Sequence, residues 1–351
     1  MSKPIGVPGS RGTVLTVVLS LVFVLCWSSG FVGAKLGAQD ADVRTVLMWR
    51  LLPLAAVLLP VALLRHRAQR GTAAALTPAD VRRQVLVGAL SQSGYLLTVY
   101  WAIGLGVSTG TTALVDGTQP LVVAALAGPL LGVAVTGRQW VGLLVGLAGV
   151  LAVTWADAGS SDSSAPPWAY AVPFLGMLAL VAATVVERRS GTRPRPLQNL
   201  AIHCTTSAVV FTAVAVLGGV AAVPDRPEFW TATAWLVVFP TFGGYGLYWV
   251  LLDRAGVTTV NSLLFLVPPV TTAWGATAFG EPVTPLTVAG LGLALAATWL
   301  VTGSGAVRRQ GPPAQRGGGG GADDPGVAPG RAGPVSAART GAKASATASA
   351  E

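Results

Sequence analysis

Charge is what this chain has least of. Only 11% of its residues are Asp, Glu, Lys or Arg and 52% are hydrophobic, a balance that ordinary soluble domains do not approach. Cysteine is almost absent. Cys26 and Cys204 both fall inside apolar runs, which excludes a disulfide framework and leaves two small buried hydrophobes. Histidine is equally sparse, and only His203 lies within a long apolar run. One His without clustered Glu, Asp or Cys cannot build a zinc site, so no metal is expected and His203 is read as a hydrogen-bonded structural residue. No glycine-rich phosphate loop of the Walker type is present, so any transport must draw on a gradient rather than on ATP hydrolysis within this chain. Acidic pairs that could hold Mg²⁺ on a diphosphate are missing too, which argues against an intramembrane transferase. A net charge of +9 does not indicate nucleic acid, because the basic residues are scattered among short loops instead of gathered on one face.

What is present in abundance is apolar sequence in long runs. A membrane span needs about 20 mostly apolar residues. Ten candidates meet that need, at roughly 14–36, 45–64, 85–105, 109–131, 140–156, 168–186, 199–221, 231–252, 258–279 and 286–303. In hydrocarbon the backbone must satisfy its own hydrogen bonds, and these runs lack the alternating polarity of a barrel, so the spans are helices. The expected fold is an all-α membrane protein. The first run follows Lys3 and Arg11, has no convincing cleavage site and is too long for a signal segment, so it is kept as the first helix.

Basic residues set the orientation. With the N-terminus cytoplasmic, Lys3, Arg11, Arg65, Arg67, Arg70, Arg82, Arg83, Arg138, Arg188, Arg189, Arg193, Arg195, Arg254, Arg308 and Arg309 lie inside, against Arg44 and Arg226 outside. Both termini are therefore expected in the cytoplasm, and the cell membrane is the expected location.

A repeat organises the runs. Tyr100–Thr154 aligns with Tyr248–Thr302 without a gap at an offset of 148 residues, and fifteen of the 55 positions are identical. Among them are Tyr100/Tyr248, Trp101/Trp249, Pro120/Pro268 and Gly142/Gly290, which apolar composition alone does not readily supply. The expected domains are a cytoplasmic N-terminus (1–13), a first five-helix repeat (14–156), an external linker (157–167) and a second five-helix repeat (168–303). Five is odd, so the two repeats must be inverted relative to one another. After residue 303 the composition turns to Gly, Ala, Pro, Ser and Arg, and 304–351 is expected to be a disordered cytoplasmic tail.

Several strings resemble the drug/metabolite transporter superfamily, specifically its EamA-type members. They are Trp27-Ser28-Ser29-Gly30-Phe31-Val32-Gly33-Ala34-Lys35, Arg50, Gln119-Pro120 and Gly280-Glu281-Pro282. The resemblance covers about residues 14–303 and implies a secondary transporter of small metabolites, often an exporter, with a central cavity between the halves. One departure stands out. That family usually carries Gly-Glu before the last helix of each half, and here Gly132-Val133 stands opposite Gly280-Glu281.

Candidate functional residues follow from polar groups in the spans. Asp116 lies about eight residues, roughly 12 Å, into the fourth run, where an ionised carboxylate is costly unless paired or facing water. It reads either as a coupling or substrate carboxylate, or as an acid that is paired with a buried Arg or Lys or protonated and hydrogen-bonded between helices. Arg50 is too deep for a loop charge. It reads as a substrate or counter-ion group, as a snorkelling side chain, or as a partner of Asp40, Asp42 or Glu281. Lys35, Gln119 and Asn261 add polar capacity, and Tyr100, Trp101, Tyr248 and Trp249 are candidates for the cavity wall or for packing and interfacial anchoring. Pro120, Pro268, Pro269, Gly243 and Gly244 are candidate hinges. The resulting expectation is a gradient-driven secondary active transporter, an exporter of small metabolites or drug-like molecules working by alternating access. An intramembrane enzyme or a channel is the alternative. A small-molecule substrate, the lipid bilayer and protons are the expected partners, with a homodimer left open, and neither cofactor nor nucleic acid is expected.

Overall fold

Apolar runs of this length have one way to satisfy their backbone, and the chain takes it: every regular element is helical, and no strand occurs among the described residues. The computed structural model describes residues 10–69, 76–131, 136–161, 163–189 and 196–302. The tail at 304–351, most of the N-terminus and the Gly132-Val133 pair lie outside the described residues.

Helices α1 (Ser10–Asp40) and α2 (Val43–Ala68) are long rods. Asp42 joins them and caps α2, accepting a 2.8 Å bond from the Arg44 amide. The Arg44 guanidinium also donates to that carboxylate and holds it below the usual carboxylate range. Helix α3 (Pro78–Gly88) starts at a capping box between Thr77 and Asp80, widens into a π-helical segment at Ala89–Gly94 and continues as α4 (Tyr95–Gly104). The fourth expected span is two helices, α5 (Thr109–Gly117) and α6 (Gln119–Leu131), separated at Thr118. Helix α7 (Gly137–Ala158) follows a capping box between Thr136 and Gln139.

The second series has the same plan. A 3₁₀ turn at Pro167–Ala171 leads into α8 (Val172–Arg189), followed by α9 (Pro196–Leu217). Helix α10 (Pro227–Leu236) runs through a π segment at Val237–Tyr245 into α11 (Gly246–Leu264). Gly256, with φ 81° and ψ 165°, breaks α11, and only glycine takes that backbone freely. Helices α12 (Val267–Phe279) and α13 (Pro285–Thr302) complete the series.

These irregularities recur at the repeat offset. The π segments start at Ala89 and Val237, α6 and α12 start at Gln119 and Val267, and α7 and α13 start at Gly137 and Pro285, each pair 148 residues apart. Pro120 and Pro268 accordingly sit in the first turn of a helix that follows a break, where a missing N–H breaks no ladder bond.

Eight helical stretches are long and apolar enough to cross a membrane, and Pro285–Leu300 is an apolar helix of shorter length. Their outer faces carry large apolar side chains in numbers that water would not tolerate, with Leu144, Trp155 and Leu217 each more than half exposed. The chain is an integral membrane protein. Inside, Phe23, Leu47, Leu51, Tyr100, Phe211, Phe229 and Leu236 form the main buried cluster. The broadest packing joins α2 to α9 and α7 to α13. In the second pair the backbones nearly touch, since a Cβ placed on Gly149 would lie 2.6 Å from the Gly290 carbonyl oxygen.

Candidate functional site

The functional geometry starts from the two π segments and the α5/α6 break, because each turns polar groups toward the middle of the bundle. A widened helical turn leaves carbonyls and side chains out of the regular ladder, and such turns gather at functional sites. Here they line two adjoining chambers. The smaller, about 60 Å³, is bounded by Trp27, Arg50, Tyr100 and Pro240. The larger, about 330 Å³, is bounded by Ser91, Asp116, Gln119, Pro120, His203 and Pro268. Trp27, Tyr95 and Tyr245 line both, so these three rings form the partition. Trp27 and Tyr245 stack with centroids 5.5 Å apart.

Arg50 is the charged group of the small chamber. It is 6% exposed, and among the described residues no carboxylate pairs with it. The Tyr100 hydroxyl bonds one guanidinium nitrogen, Thr241 Oγ1 lies 3.3 Å from another, and Nε has no partner. Thr241 is in reach because the second π segment carries it past Pro240. A guanidinium supported only by hydroxyls keeps its positive charge uncompensated, at an effective cost of several kcal/mol for a buried ion. That arrangement is suited to an incoming anion.

Asp116 is the charged group of the large chamber. It occupies the last turn of α5, just before the break. Tyr95 donates a 2.8 Å hydrogen bond to Oδ2, and Oδ1 is buried without a partner. No Arg or Lys pairs with this acid among the described residues, and the group it meets is a phenol on α4, a hydrogen bond between helices. Gln119, on the other side of the break, donates to Thr184 Oγ1 at 3.0 Å and lines the same chamber.

The remaining candidates are distributed away from the chambers. Lys35 and Glu281 pair with each other at 2.6 Å, and both Glu281 oxygens accept from the Thr109 amide at the N-terminus of α5. Asp40 meets Arg226 and Asp42 meets Arg44, so none of the three acids expected near Arg50 reaches it. Trp101 packs edge-on against Trp168, Tyr248 packs against Phe23 and Trp249, and Asn261 is exposed. Trp101, Tyr248, Trp249 and Asn261 line neither chamber. Gly243 faces Cys26, Gly244 faces Trp27, and Pro269 lines a separate cleft between α5 and α13.

Sequence reasoning missed Tyr95, Tyr245 and the position of His203. Their one visible signal is the polar run Ser91-Gln92-Ser93-Gly94 before Tyr95, which faces Cys204 and Ser207 on α9.

With this geometry in place, comparison with known proteins is informative. The family model described as the EamA-like transporter family matches residues 14–155 and 167–303. A probable terminal-alkyne amino-acid exporter of Streptantibioticus cattleyicolor is 26% identical over 285 residues, covering 79% of this chain and 90% of that protein. A chloroplastic WAT1-related protein of Arabidopsis thaliana is 25% identical over 306 residues, covering 84% of this chain and 70% of that one. The inner membrane transporter YedA of Escherichia coli is 25% identical over 198 residues, 56% of this chain and 62% of its own length. A solved crystal structure with 19% identity superimposes at a TM-score of 0.55, covering 82% of this chain and 96% of that one, which is a likeness of fold.

Proposed function

Because the chain belongs to the EamA-like transporter family and is therefore a membrane transporter, we propose that it exports a small zwitterion, an amino acid with a short apolar side chain, by alternating access driven by a proton gradient. The observation that carries this reading is the pair of opposite charges in adjoining chambers. Among the described residues Arg50 is a buried cation without a carboxylate partner, and Asp116 offers an unpartnered carboxylate oxygen. A substrate carboxylate bonded to Arg50 gains a charge-assisted, two-pronged contact, and Asp116 supplies the opposite charge from the adjoining chamber. Size agrees, since about 330 Å³ is at the low end of small-molecule sites, which run from roughly 300 to 1,000 Å³. The relative described as an amino-acid exporter supports the same class.

Alternating access is supported by the repeat. Breaks and π segments that recur 148 residues apart are what two inverted five-helix halves would produce, and broken helices at a central site belong to that architecture. In this reading all ten spans cross the cell membrane, both termini are cytoplasmic, and Asp116 carries the coupling proton.

The test uses full-length protein in proteoliposomes with L-norvaline as probe. A pH gradient should drive net norvaline movement, and valerate and norvaline methyl ester should both be poor substrates. Arg50→Gln should raise the norvaline KM about tenfold to a hundredfold, the range for losing a charged hydrogen-bond partner of ~1.5–3 kcal/mol. Equal transport of norvaline and its methyl ester would refute the carboxylate contact.

A further inference from the structure

We infer that His203 is a second substrate-binding residue of the large chamber, a neutral imidazole whose Nδ1 accepts a hydrogen bond from the ammonium end of the substrate. The inference rests on the reading that this chamber receives an amine. His203 lies on α9 and lines the same chamber as Asp116, Gln119 and Tyr95.

Three linked side chains fix its proton. Glu187, on α8, accepts a 2.8 Å bond from Gln84 Nε2, and a carboxylate can only accept, so the Gln84 amide is turned with its NH₂ toward Glu187. The Gln84 carbonyl oxygen then faces His203 Nε2 at 2.8 Å. An amide oxygen also only accepts, so Nε2 must carry the hydrogen. Gln84 is 1% exposed. Arg83 Nε lies 3.9 Å from the same Glu187 carboxylate.

A neutral ring with its hydrogen on Nε2 has a bare Nδ1. That atom has no hydrogen-bond partner among the described residues. The ring is also held in place, since a Cβ on Gly88 would lie 2.9 Å from His203 Cα and 3.0 Å from Cδ2. The edge bearing Nδ1 is the opposite one. A histidine kept for structure alone would have both nitrogens bonded, whereas this one has a single anchored nitrogen and a free acceptor on the wall of the cavity. Gln84 is thus a positioning residue, acting through the tautomer.

Because the chain has two histidines, His66→Gln leaves His203 as the sole imidazole. Full-length His66→Gln carrying ring-¹⁵N histidine, in lipid nanodiscs at one fixed neutral pH, should give a protonated Nε2 and a bare Nδ1. Adding n-butylammonium or L-norvaline should move the Nδ1 resonance, and valerate should not. Gln84→Leu in the same background should yield a mixture of tautomers. In transport, His203→Leu should raise the norvaline KM about tenfold with the maximal rate retained, and His203→Asn, whose amide oxygen falls near the place of Nδ1, should recover most of that loss. An Nδ1–H tautomer, or an Nδ1 resonance unmoved by both ammonium probes, would overturn the inference even if every variant at Gln84 and His203 failed to fold. Should wild-type protein fail to move norvaline while Nδ1 responds to butylammonium, the export reading falls and the His203 assignment stands. Transport with no Nδ1 response removes the His203 assignment alone.

Discussion

At the scale of single residues, the site is defined by charges that the protein leaves partly unanswered. Asp116 has one oxygen bonded to Tyr95 and one without a partner, an arrangement that lets the carboxylate take a proton or an ammonium without dismantling a salt bridge. Asp116→Asn keeps the shape and removes the charge. That variant should insert normally, lose norvaline movement driven by a pH gradient, and retain norvaline exchange, which needs no net proton transfer. Unchanged gradient-driven transport would make Asp116 structural. Tyr95→Phe removes the only donor to the acid among the described residues and keeps the ring in the partition, so transport should slow by roughly tenfold without being abolished. Asp116 and Arg50 were legible in the sequence because a charge inside a long apolar run stands out against its neighbours. Tyr95, Tyr245 and His203 were not, because a buried tyrosine or histidine is as often packing as site, and nothing along the chain says that three separate helices bring them to one cavity.

At the scale of elements, the breaks are what carry polar groups inward, and the sequence disclosed them unevenly. Pro120 and Pro268, expected to interrupt the ladder of a continuous helix, instead lie in the first turn of the helix after each break. The π segments left no such mark. Ala89–Gly94 and Val237–Phe242 share no residue at matching positions, yet both widen at the same point of the repeat. Hydrophobic periodicity does not distinguish a π turn from an α turn over six residues. The clamp at Glu281 is also an element-scale device: it follows α12, its carboxylate accepts from Thr109 at the start of α5, and its partner Lys35 ends α1. Three helices therefore depend on one side chain that is 8% exposed. Glu281→Ala should lower the thermal unfolding midpoint in detergent more than Lys35→Met does, because the first also leaves the Thr109 amide and hydroxyl without their acceptor at the start of α5. Glu281→Gln, which keeps an acceptor for Thr109, should fall between them. Equal midpoints for all three would show that the bonds to Thr109 contribute nothing. Gly149→Val tests the closest helix crossing, and overpacking there should cost about 1–3 kcal/mol.

At the scale of the whole molecule, the duplication is the property from which the rest follows, and it makes a prediction about direction. A constant offset that carries the π segments, the helix breaks and the starts of α7 and α13 from one half to the other means that each half repeats one plan. Under the proposed ten-span arrangement, five spans per half would bring the second copy into the membrane from the opposite side. Basic residues independently set which side, with Arg44 and Arg226 expected outside and Arg65, Arg67, Arg82, Arg83, Arg188 and Arg189 inside. The two arguments share no observation, so they can fail separately. Reporter fusions after Ser161 and after Ser190 read the outcome: the first should be external and the second cytoplasmic. Opposite readings at both sites would reverse the orientation and keep the inversion. The same side at both would mean that 163–189 does not cross the membrane, leaving an even number of crossings in the second half and removing the inverted-repeat basis for alternating access.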